Sequence, residues 1–205
     1  MNIYSNAFNF SSYLRGAVDP RTGQYTSHIR LVTLYPKGPL EVSREIYLSF
    51  SMFSVERGGY GIGWRLSNTE FDVSNFQLTL LSGERFQTTG LPSVGNSLII
   101  KNRKLMDLVV LRPDANTLHV IYKDGTVEIL RRTGSTVPYR IVGMLFENGE
   151  RLTFHYGTAG FLERIFNDNQ EDLLVLTYSG GSLSTADTRI EGARYARMLF
   201  TYTNS

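Results

Sequence analysis

Two β-rich runs flank an Asp-Gly pair in the stretch LHVIYKDGTVEIL, which covers residues 118–130. Both central residues of a type I′ turn need φ > 0, and Asp and Gly tolerate it, so Asp124 and Gly125 predict a β-hairpin closed by a type I′ turn. Asn148 and Gly149 predict the same connection between the two runs around them. The sequence therefore indicates antiparallel strands joined by tight turns.

The composition also favours strands. Of the 205 residues, 12 are Tyr, 12 are Phe, 1 is Trp and 19 are Gly, and aromatic residues separated by glycine turns are typical of β structure. Ser82 and Gly83 predict a third hairpin, between residues 76–81 and 84–88. No long segment has a helical period flanked by caps, although residues 186–198 allow one short helix. We expect an all-β fold in which antiparallel strands and hairpins form a curved sheet.

Charge and residue content exclude several classes of function. The chain has 21 Lys and Arg against 19 Asp and Glu, and the basic residues are scattered rather than clustered in the stripe that nucleic acid requires. The absence of Cys excludes disulfides, thiolate nucleophiles and cysteine-ligated zinc. Apolar runs are far shorter than the roughly 20 residues of a membrane span, and residues 1–18 lack the pattern of a signal peptide. We expect no nucleic-acid partner and no membrane span.

The titratable residues do not form a catalytic or metal-binding pattern. The three histidines lie on predicted strands without His-x-x-x-His or Glu-x-x-His spacing: His28, His119 and His155. No Gly-x-Ser-x-Gly elbow is present, and the acids are scattered rather than paired as in a glycosidase, for example Asp107, Asp114 and Glu128. We therefore expect no enzyme activity, no cofactor and no metal.

A glycine-rich segment, GYGIGW at residues 59–64, superficially resembles a phosphate-binding loop. It lacks the Gly-Lys-Ser/Thr sequence and the strand-to-helix setting of such loops, so it predicts a close approach of the backbone with Trp64 as a buried anchor. Flat aromatic rings also stack on pyranose faces, and Trp64, Tyr60, Tyr35 and Tyr47 are candidates for binding sugar. Packing inside a core or wall is the interpretation that we favour for them.

A repeat of 22 to 24 residues runs through the last third of the chain. LTFHY, LVLTY and MLFTY share one pattern and end at Tyr156, Tyr178 and Tyr202. A unit of this length has two strands and two turns and must stack on its neighbours to bury a face. The third copy stops at Ser205 without the glycine turn that follows the other two. We expect the chain to be the N-terminal piece of a longer polypeptide, with a degenerate capping repeat as the alternative.

The stretch NGERLTFHYGTAGFL, residues 148–162, resembles the YD repeat of the Rhs family. The family pattern has a turn glycine, a basic residue, a strand that ends in tyrosine, an aspartate, a second glycine, and then a basic residue and leucine. Gly157 stands where the family has aspartate, and Phe161 stands where arginine or asparagine is usual. The repeat is therefore a degenerate copy.

The N-terminal part resembles the opening of Rhs-repeat proteins, some of which are labelled sugar-binding. The segments that carry the resemblance are NAFNF (residues 6–10), GAVDPRTGQY (residues 16–25) and GYGIGWRL (residues 59–66). Within them Asp19 and Pro20 preset a turn, and Gly23 supplies a position with φ > 0 before a strand.

The resemblance implies a hollow β-shell, built from a long spiralling sheet of repeats, that encloses a C-terminal toxin. Such proteins are delivered to competing bacteria or to host cells by secretion machines or as components of toxin complexes. We expect an N-terminal Rhs-like opening region, residues 1–66, and a β-hairpin region that runs into degenerate YD-type repeats, residues 67–205, in one continuous β structure.

The expected function is a non-enzymatic structural segment of the shell that acts in toxin packaging and delivery; the alternative is a stand-alone carbohydrate-binding β module. The expected partners are the remainder of the polypeptide or a delivery component, with self-association through sheet edges and sugar as further possibilities. The protein would reside in the bacterial cytoplasm and then be secreted without a signal peptide. The residues expected to carry this architecture are Asp19, Pro20, Gly23, Gly61, Gly63, Trp64, Asp124, Gly125, Asn148, Gly149, Tyr156, Gly160, Tyr178 and Tyr202.

Overall fold

A computed structural model describes residues 14–18, 25–35, 42–52, 59–101, 107–134, 137–190 and 193–202. All regular secondary structure among these residues is β-strand, and every strand pair is antiparallel. This confirms the predicted all-β class. Asp19, Pro20 and Gly23 lie outside the described residues. Within the described residues no helix is long and apolar enough to cross a membrane.

The strands form two sheets. The N-terminal sheet has the order β1-β2-β3-β4, and the large sheet has 12 strands, of which nine follow one another in chain order from β8 to β16. The short strands β5, β6 and β7 join the large sheet through a pairing of β5 with β11. The strands are β1 (Leu14–Val18), β2 (Tyr25–Leu34), β3 (Arg44–Ser51), β4 (Trp64–Leu66), β5 (Glu70–Asp72), β6 (Gln77–Thr79), β7 (Arg85–Gln87), β8 (Leu108–Asp114), β9 (Thr117–Tyr122), β10 (Val127–Arg131), β11 (Tyr139–Leu145), β12 (Arg151–Tyr156), β13 (Leu162–Asn167), β14 (Asp172–Ser179), β15 (Ser182–Ile190) and β16 (Ala193–Leu199).

The three predicted hairpins are confirmed, because β6 pairs with β7, β9 with β10, and β11 with β12. The predicted turn type is wrong at Asp124. Tyr122 N donates to Thr126 O at 2.9 Å, and Gly125 N donates to Tyr122 O at 3.1 Å. Only Gly125, with φ of 78°, has a positive φ in this loop, as in a type I turn followed by a G1 bulge. The side chain explains the difference, since Asp124 Oδ1 accepts a hydrogen bond from Thr126 N at 2.9 Å.

The turn at Asn148 has the same geometry, so the type I′ prediction is wrong there as well. Phe146 N donates to Glu150 O, and Gly149 alone in the loop has a positive φ, of 85°. A pair with positive φ at both central positions occurs instead at Gly180 and Gly181, with φ of 59° and 79°, between β14 and β15. Two consecutive glycines meet the steric requirement of a type I′ turn better than Asp-Gly or Asn-Gly does here.

The short helix allowed over residues 186–198 is wrong, because this segment forms the end of β15 and most of β16. Ala186 lies opposite Met198, and Asp187 lies opposite Arg197. Arg197 Nε and Nη2 donate to the two carboxylate oxygens of Asp187, each at 2.6 Å. This bidentate pair fixes the register between the two strands.

Two hydrophobic clusters form the core. The first lies between the sheets, where Leu31 and Ile46 of the N-terminal sheet share a cluster with Phe154 and Leu174 of the large sheet. The second lies under β5 to β11 and is centred on buried aromatic and aliphatic side chains, among them Phe71, Leu118, Leu130 and Tyr139. The first cluster positions the functional site, because it packs β2 and β3 of the N-terminal sheet against the large sheet, where β2 contacts β14 and β15.

Candidate functional site

The three repeat tyrosines gather near Tyr60. Tyr156 ends β12, Tyr178 lies in β14, and Tyr202 follows β16. Tyr178 Oη donates to Leu162 O at 2.8 Å and lies 3.3 Å from Tyr60 Oη. Burial raises the pKa of Tyr60, Tyr156 and Tyr178 above the ordinary value for tyrosine. These phenols stay neutral at physiological pH and act as hydrogen-bonding and packing groups.

The glycine-rich segment packs closely against these aromatic rings. A Cβ on Gly59 would lie 2.8 Å from the Phe161 ring, and a Cβ on Gly61 would lie 3.0 Å from the Tyr202 ring. Gly59 O also accepts a hydrogen bond from Leu183 N at 2.6 Å. The segment therefore joins the N-terminal sheet to the strand ends of the large sheet through backbone contacts.

Gly63 has the tightest surroundings of the three glycines. It has φ of 82°, and a Cβ there would lie 2.6 Å from the Phe50 ring and 2.9 Å from Ser51 O. A side chain would be strained both by the left-handed backbone and by this contact. Trp64 follows, with its ring centroid 5.4 Å from that of Phe50, but it is half-buried rather than enclosed. Its remaining surface faces a cleft.

This cleft, which we call the aromatic cleft, has a volume of about 540 Å³. Its walls include Tyr47, Tyr60, Trp64 and Phe161, and its polar lining includes Arg65, Asn68, Glu70, Arg85 and Arg140. Three of the four aromatic residues that the sequence singles out for sugar therefore meet in one place. Tyr35 does not line the cleft and is 66% exposed at the end of β2.

The polar lining is connected by hydrogen bonds at one end of the cleft. Tyr156 Oη donates to Asn68 Oδ1 at 3.3 Å, and Asn68 Nδ2 donates to Glu70 Oε2 at 3.3 Å. Burial raises the pKa of Glu70, although Arg140 and Arg65 oppose this effect. Arg140 Nη1 donates to Gly160 O at 3.0 Å. Because Gly160 stands at the turn between β12 and β13, this bond places the guanidinium at the cleft.

A second polar cluster lies away from the cleft, where β3 meets the hairpin of β9 and β10. Arg44 Nη2 donates to Asp124 Oδ2 at 2.6 Å, and the guanidinium lies 4.9 Å from the centre of the Tyr122 ring. Glu128 is fully buried beside them, and neither of its carboxylate oxygens has a hydrogen bond of ordinary geometry among the described residues. Burial raises the pKa of Glu128, and the nearby hydroxyls of Thr69 and Tyr122 oppose this rise.

The histidines lie on strands, as predicted, and are well separated from one another. His28 of β2 lines the aromatic cleft with its ring 5.2 Å from that of Tyr47. Burial lowers the pKa of His119 in β9, and His155 in β12 lies 3.9 Å from Glu163. In the part of the chain that the structure describes, no group of three or more His, Asp or Glu side chains is arranged to hold a metal ion.

Sequence reasoning did not identify the polar residues that line the cleft. Arg65, Asn68 and Glu70 follow the glycine-rich segment closely, but Arg140 lies 70 residues beyond Glu70. No spacing rule connects them, because the pairing of β5 with β11 brings Glu70 opposite Arg140. The predicted turn residues Asp124, Gly125, Asn148 and Gly149 do not line the cleft. Gly160 does, and Tyr178 and Tyr202 lie behind its aromatic wall.

Comparison with known proteins adds no family assignment. The sequence matches no protein-family model and has no significant match among curated proteins. A functional conclusion therefore depends on the geometry of this chain and on the motifs in its sequence.

Proposed function

We propose that this chain is a non-enzymatic structural segment of an Rhs-type toxin-encapsulating shell and that it acts in toxin packaging and delivery. The observation that carries the proposal is the order of the large sheet, in which β8 to β16 are neighbours in the same order as along the chain. A sheet of this kind lengthens by one strand at a time, and each strand pairs with its predecessor through backbone hydrogen bonds. Such a sheet is suited to form the wall of an enclosure.

The edge at β16 supports the proposal. Within the described residues no strand pairs with its outer side, and Tyr195 and Leu199 are exposed there, Leu199 by 73%. An exposed apolar edge is a template for a further strand. We propose that it pairs with the remainder of the polypeptide or with a delivery component, after synthesis in the bacterial cytoplasm and export from it.

The experiment is sedimentation of the 205-residue chain by analytical ultracentrifugation over a range of concentrations. We expect self-association through β16, because no other partner for the edge is present in the tube. Leu199→Lys places a charge on this edge and should shift the chain towards monomer. Ile99→Lys is the matched control, since Ile99 is 65% exposed and lies outside β16. A compact monomer at every concentration, or equal association of the two variants, would contradict the proposal.

A second candidate is the stand-alone carbohydrate-binding β module, and the aromatic cleft favours it. Sugar sites combine a few flat rings with converging hydrogen-bonding groups, and Tyr47, Tyr60 and Trp64 here share a cleft with Asn68 and Glu70. The experiment is a glycan array probed with the native chain, with Trp64→Ala and with Tyr35→Ala as a control outside the cleft. We expect Trp64→Ala alone to lose binding while it retains the β circular dichroism spectrum. Absence of binding to any glycan would overturn this candidate and leave the first one standing.

A further inference from the structure

The aromatic cleft has an excess of positive charge. Three arginines line it, Arg65, Arg85 and Arg140, and Glu70 is the one acidic residue among the described lining residues. An adjoining cavity of about 270 Å³ shares His28, Tyr47 and Ser82 with the cleft. A ligand longer than a single ring therefore has room to extend from one cavity into the other.

Arg140 is the group best placed to hold an anion. Its Nη1 donates to Gly160 O at 3.0 Å, and because both residues line the cleft, this bond fixes the orientation of the guanidinium there. The planar guanidinium offers donors in the fork geometry that matches a carboxylate.

The aromatic walls describe the rest of the ligand. Trp64 is half-buried against Phe50, so its orientation is set and one part of its surface remains available. Tyr47 reaches across the cleft, because its hydroxyl would lie 2.9 Å from a Cβ placed on Gly83. Rings at these positions can stack on the apolar face of a sugar, while the Asn68 side chain can exchange hydrogen bonds with its hydroxyls.

We propose that the aromatic cleft binds a carboxylate-bearing saccharide, a short uronate chain, with Arg140 on the carboxylate and Trp64 stacked on a sugar ring. The inference rests on the second candidate function, of which it names the ligand class. Single-stranded nucleic acid also combines charge with stacking. The saccharide is favoured because a phosphate backbone requires a continuous track of basic residues, whereas Arg30 in the adjoining cavity is paired with Glu45 at 3.4 Å.

The first test compares charged and neutral ligands on the native chain. Trp64 is the only Trp in the sequence, so its fluorescence reports on the cleft alone. The probes are tetrasaccharides of galacturonate, alginate and hyaluronan, each beside its methyl ester. We expect at least one acid to bind and its ester to bind about ten- to a hundredfold more weakly, since the ester keeps the ring and loses the charge-assisted hydrogen bonds.

The second test uses variants of the lining arginines. Arg140→Gln should weaken binding of the acid about tenfold or more and should reduce its preference over the ester. Arg85→Gln alters an exposed residue of the same lining and should weaken binding to a lesser extent, which keeps the test valid if Arg140→Gln fails to fold. Arg131→Gln is the control, because Arg131 is exposed and does not line either cavity.

The outcomes separate the inference from the function on which it rests. Equal binding of acids and esters would overturn the carboxylate assignment and leave the carbohydrate module intact. Binding of none of the saccharides, in this set or on the glycan array, would overturn both. Binding of a ten-nucleotide oligothymidylate at least as tightly as of the best acid would overturn the saccharide in favour of nucleic acid.

Discussion

The two edge strands of the large sheet, β8 and β16, differ in whether another segment covers their outer backbone groups. At the β8 end, a segment outside the regular strands covers the edge, with Leu98 N donating to Val110 O at 2.7 Å and Gly95 N donating to Arg112 O at 2.7 Å. At the β16 end, no strand covers the edge in the described part of the chain. One end is thus closed by its own backbone, while the other offers its backbone to a further strand.

Buried carboxylates distinguish the same two ends. Glu128, near the β8 end, is buried, and neither of its carboxylate oxygens has a hydrogen bond of ordinary geometry among the described residues. Asp187, near the β16 end, is also buried, but both of its oxygens accept hydrogen bonds from Arg197 on the edge strand. Near the β8 end, burial therefore raises the pKa of the buried acid, whereas near the β16 end a bidentate pair with Arg197 joins β15 to β16.

The largest expected effect on stability comes from weakening the segment that covers the edge at β8. Leu98 is 7% exposed and belongs to the second core cluster, so Leu98→Ala should reduce the free energy of unfolding by about 2 to 5 kcal/mol. It should also loosen the cover and increase association through β8. Urea denaturation and ultracentrifugation measure the two effects. Ile99→Ala, at the exposed neighbour, should change the free energy of unfolding by less than about 0.5 kcal/mol.

The next effect is the loss of the charged pair at the open end. Asp187→Ala leaves Arg197 without its acceptor, so we expect a lower midpoint of thermal unfolding, though a smaller drop than for Leu98→Ala. The same change in an Arg197→Ala background should cost less, because the pair is already broken. Equal losses in both backgrounds would show that Asp187 acts through packing and not through Arg197.

The turns and the last strands show which features of the fold can be predicted from the sequence. The hairpins at Asp124 and Asn148 were predictable because turn chemistry is local. Their type I′ geometry was not, because a side-chain bond such as that from Thr126 N to Asp124 Oδ1 changes the balance between turn types. The ambiguity over residues 186–198 arose because Ala, Arg and Met favour helices, while the register that decides for a strand comes from the Asp187 pair across β15 and β16.

The candidate site was predictable only in its aromatic half. Tyr60 and Trp64 belong to a glycine-rich motif that is visible in the sequence. Tyr47 is a candidate for binding sugar because its aromatic ring can stack on a pyranose face. Arg140 had no such signal, since it reaches the cleft through the pairing of β11 with β5. Contacts between distant strands depend on the assembled sheet and not on any local pattern.

The two buried carboxylates should give opposite pH dependence. Burial raises the pKa of Glu128, so the folded state binds more protons than the unfolded state between the two pKa values. Its contribution is fully present below the unfolded pKa and is lost as the pH rises through the folded pKa. The hydrogen bonds from Arg197 lower the pKa of Asp187, so its contribution is present above the unfolded pKa and is lost as the pH falls through the folded pKa.

Denaturation curves over a range of pH measure both effects. Glu128→Gln should remove the loss of stability that accompanies rising pH, and Asp187→Asn should remove part of the loss that accompanies falling pH. An unchanged slope for Glu128→Gln on the alkaline side would mean that the folded chain accommodates the charged carboxylate, for example through Arg44, whose charge opposes the rise in the pKa of Glu128.

The smallest expected effect on stability tests the outer side of β16 directly. Phe200 N donates to Ser184 O, and inward and outward N–H groups alternate along an antiparallel strand, so the N–H of Met198 faces β15 and that of Leu199 faces away. Leu199→Pro should therefore change the free energy of unfolding by less than about 1 kcal/mol and still suppress association. Met198→Pro removes an inward hydrogen bond and leaves its acceptor unsatisfied, so it should cost more, about 1 to 3 kcal/mol. Equal losses for the two prolines would mean that the outer N–H of Leu199 already has a partner, and the edge would then not be open.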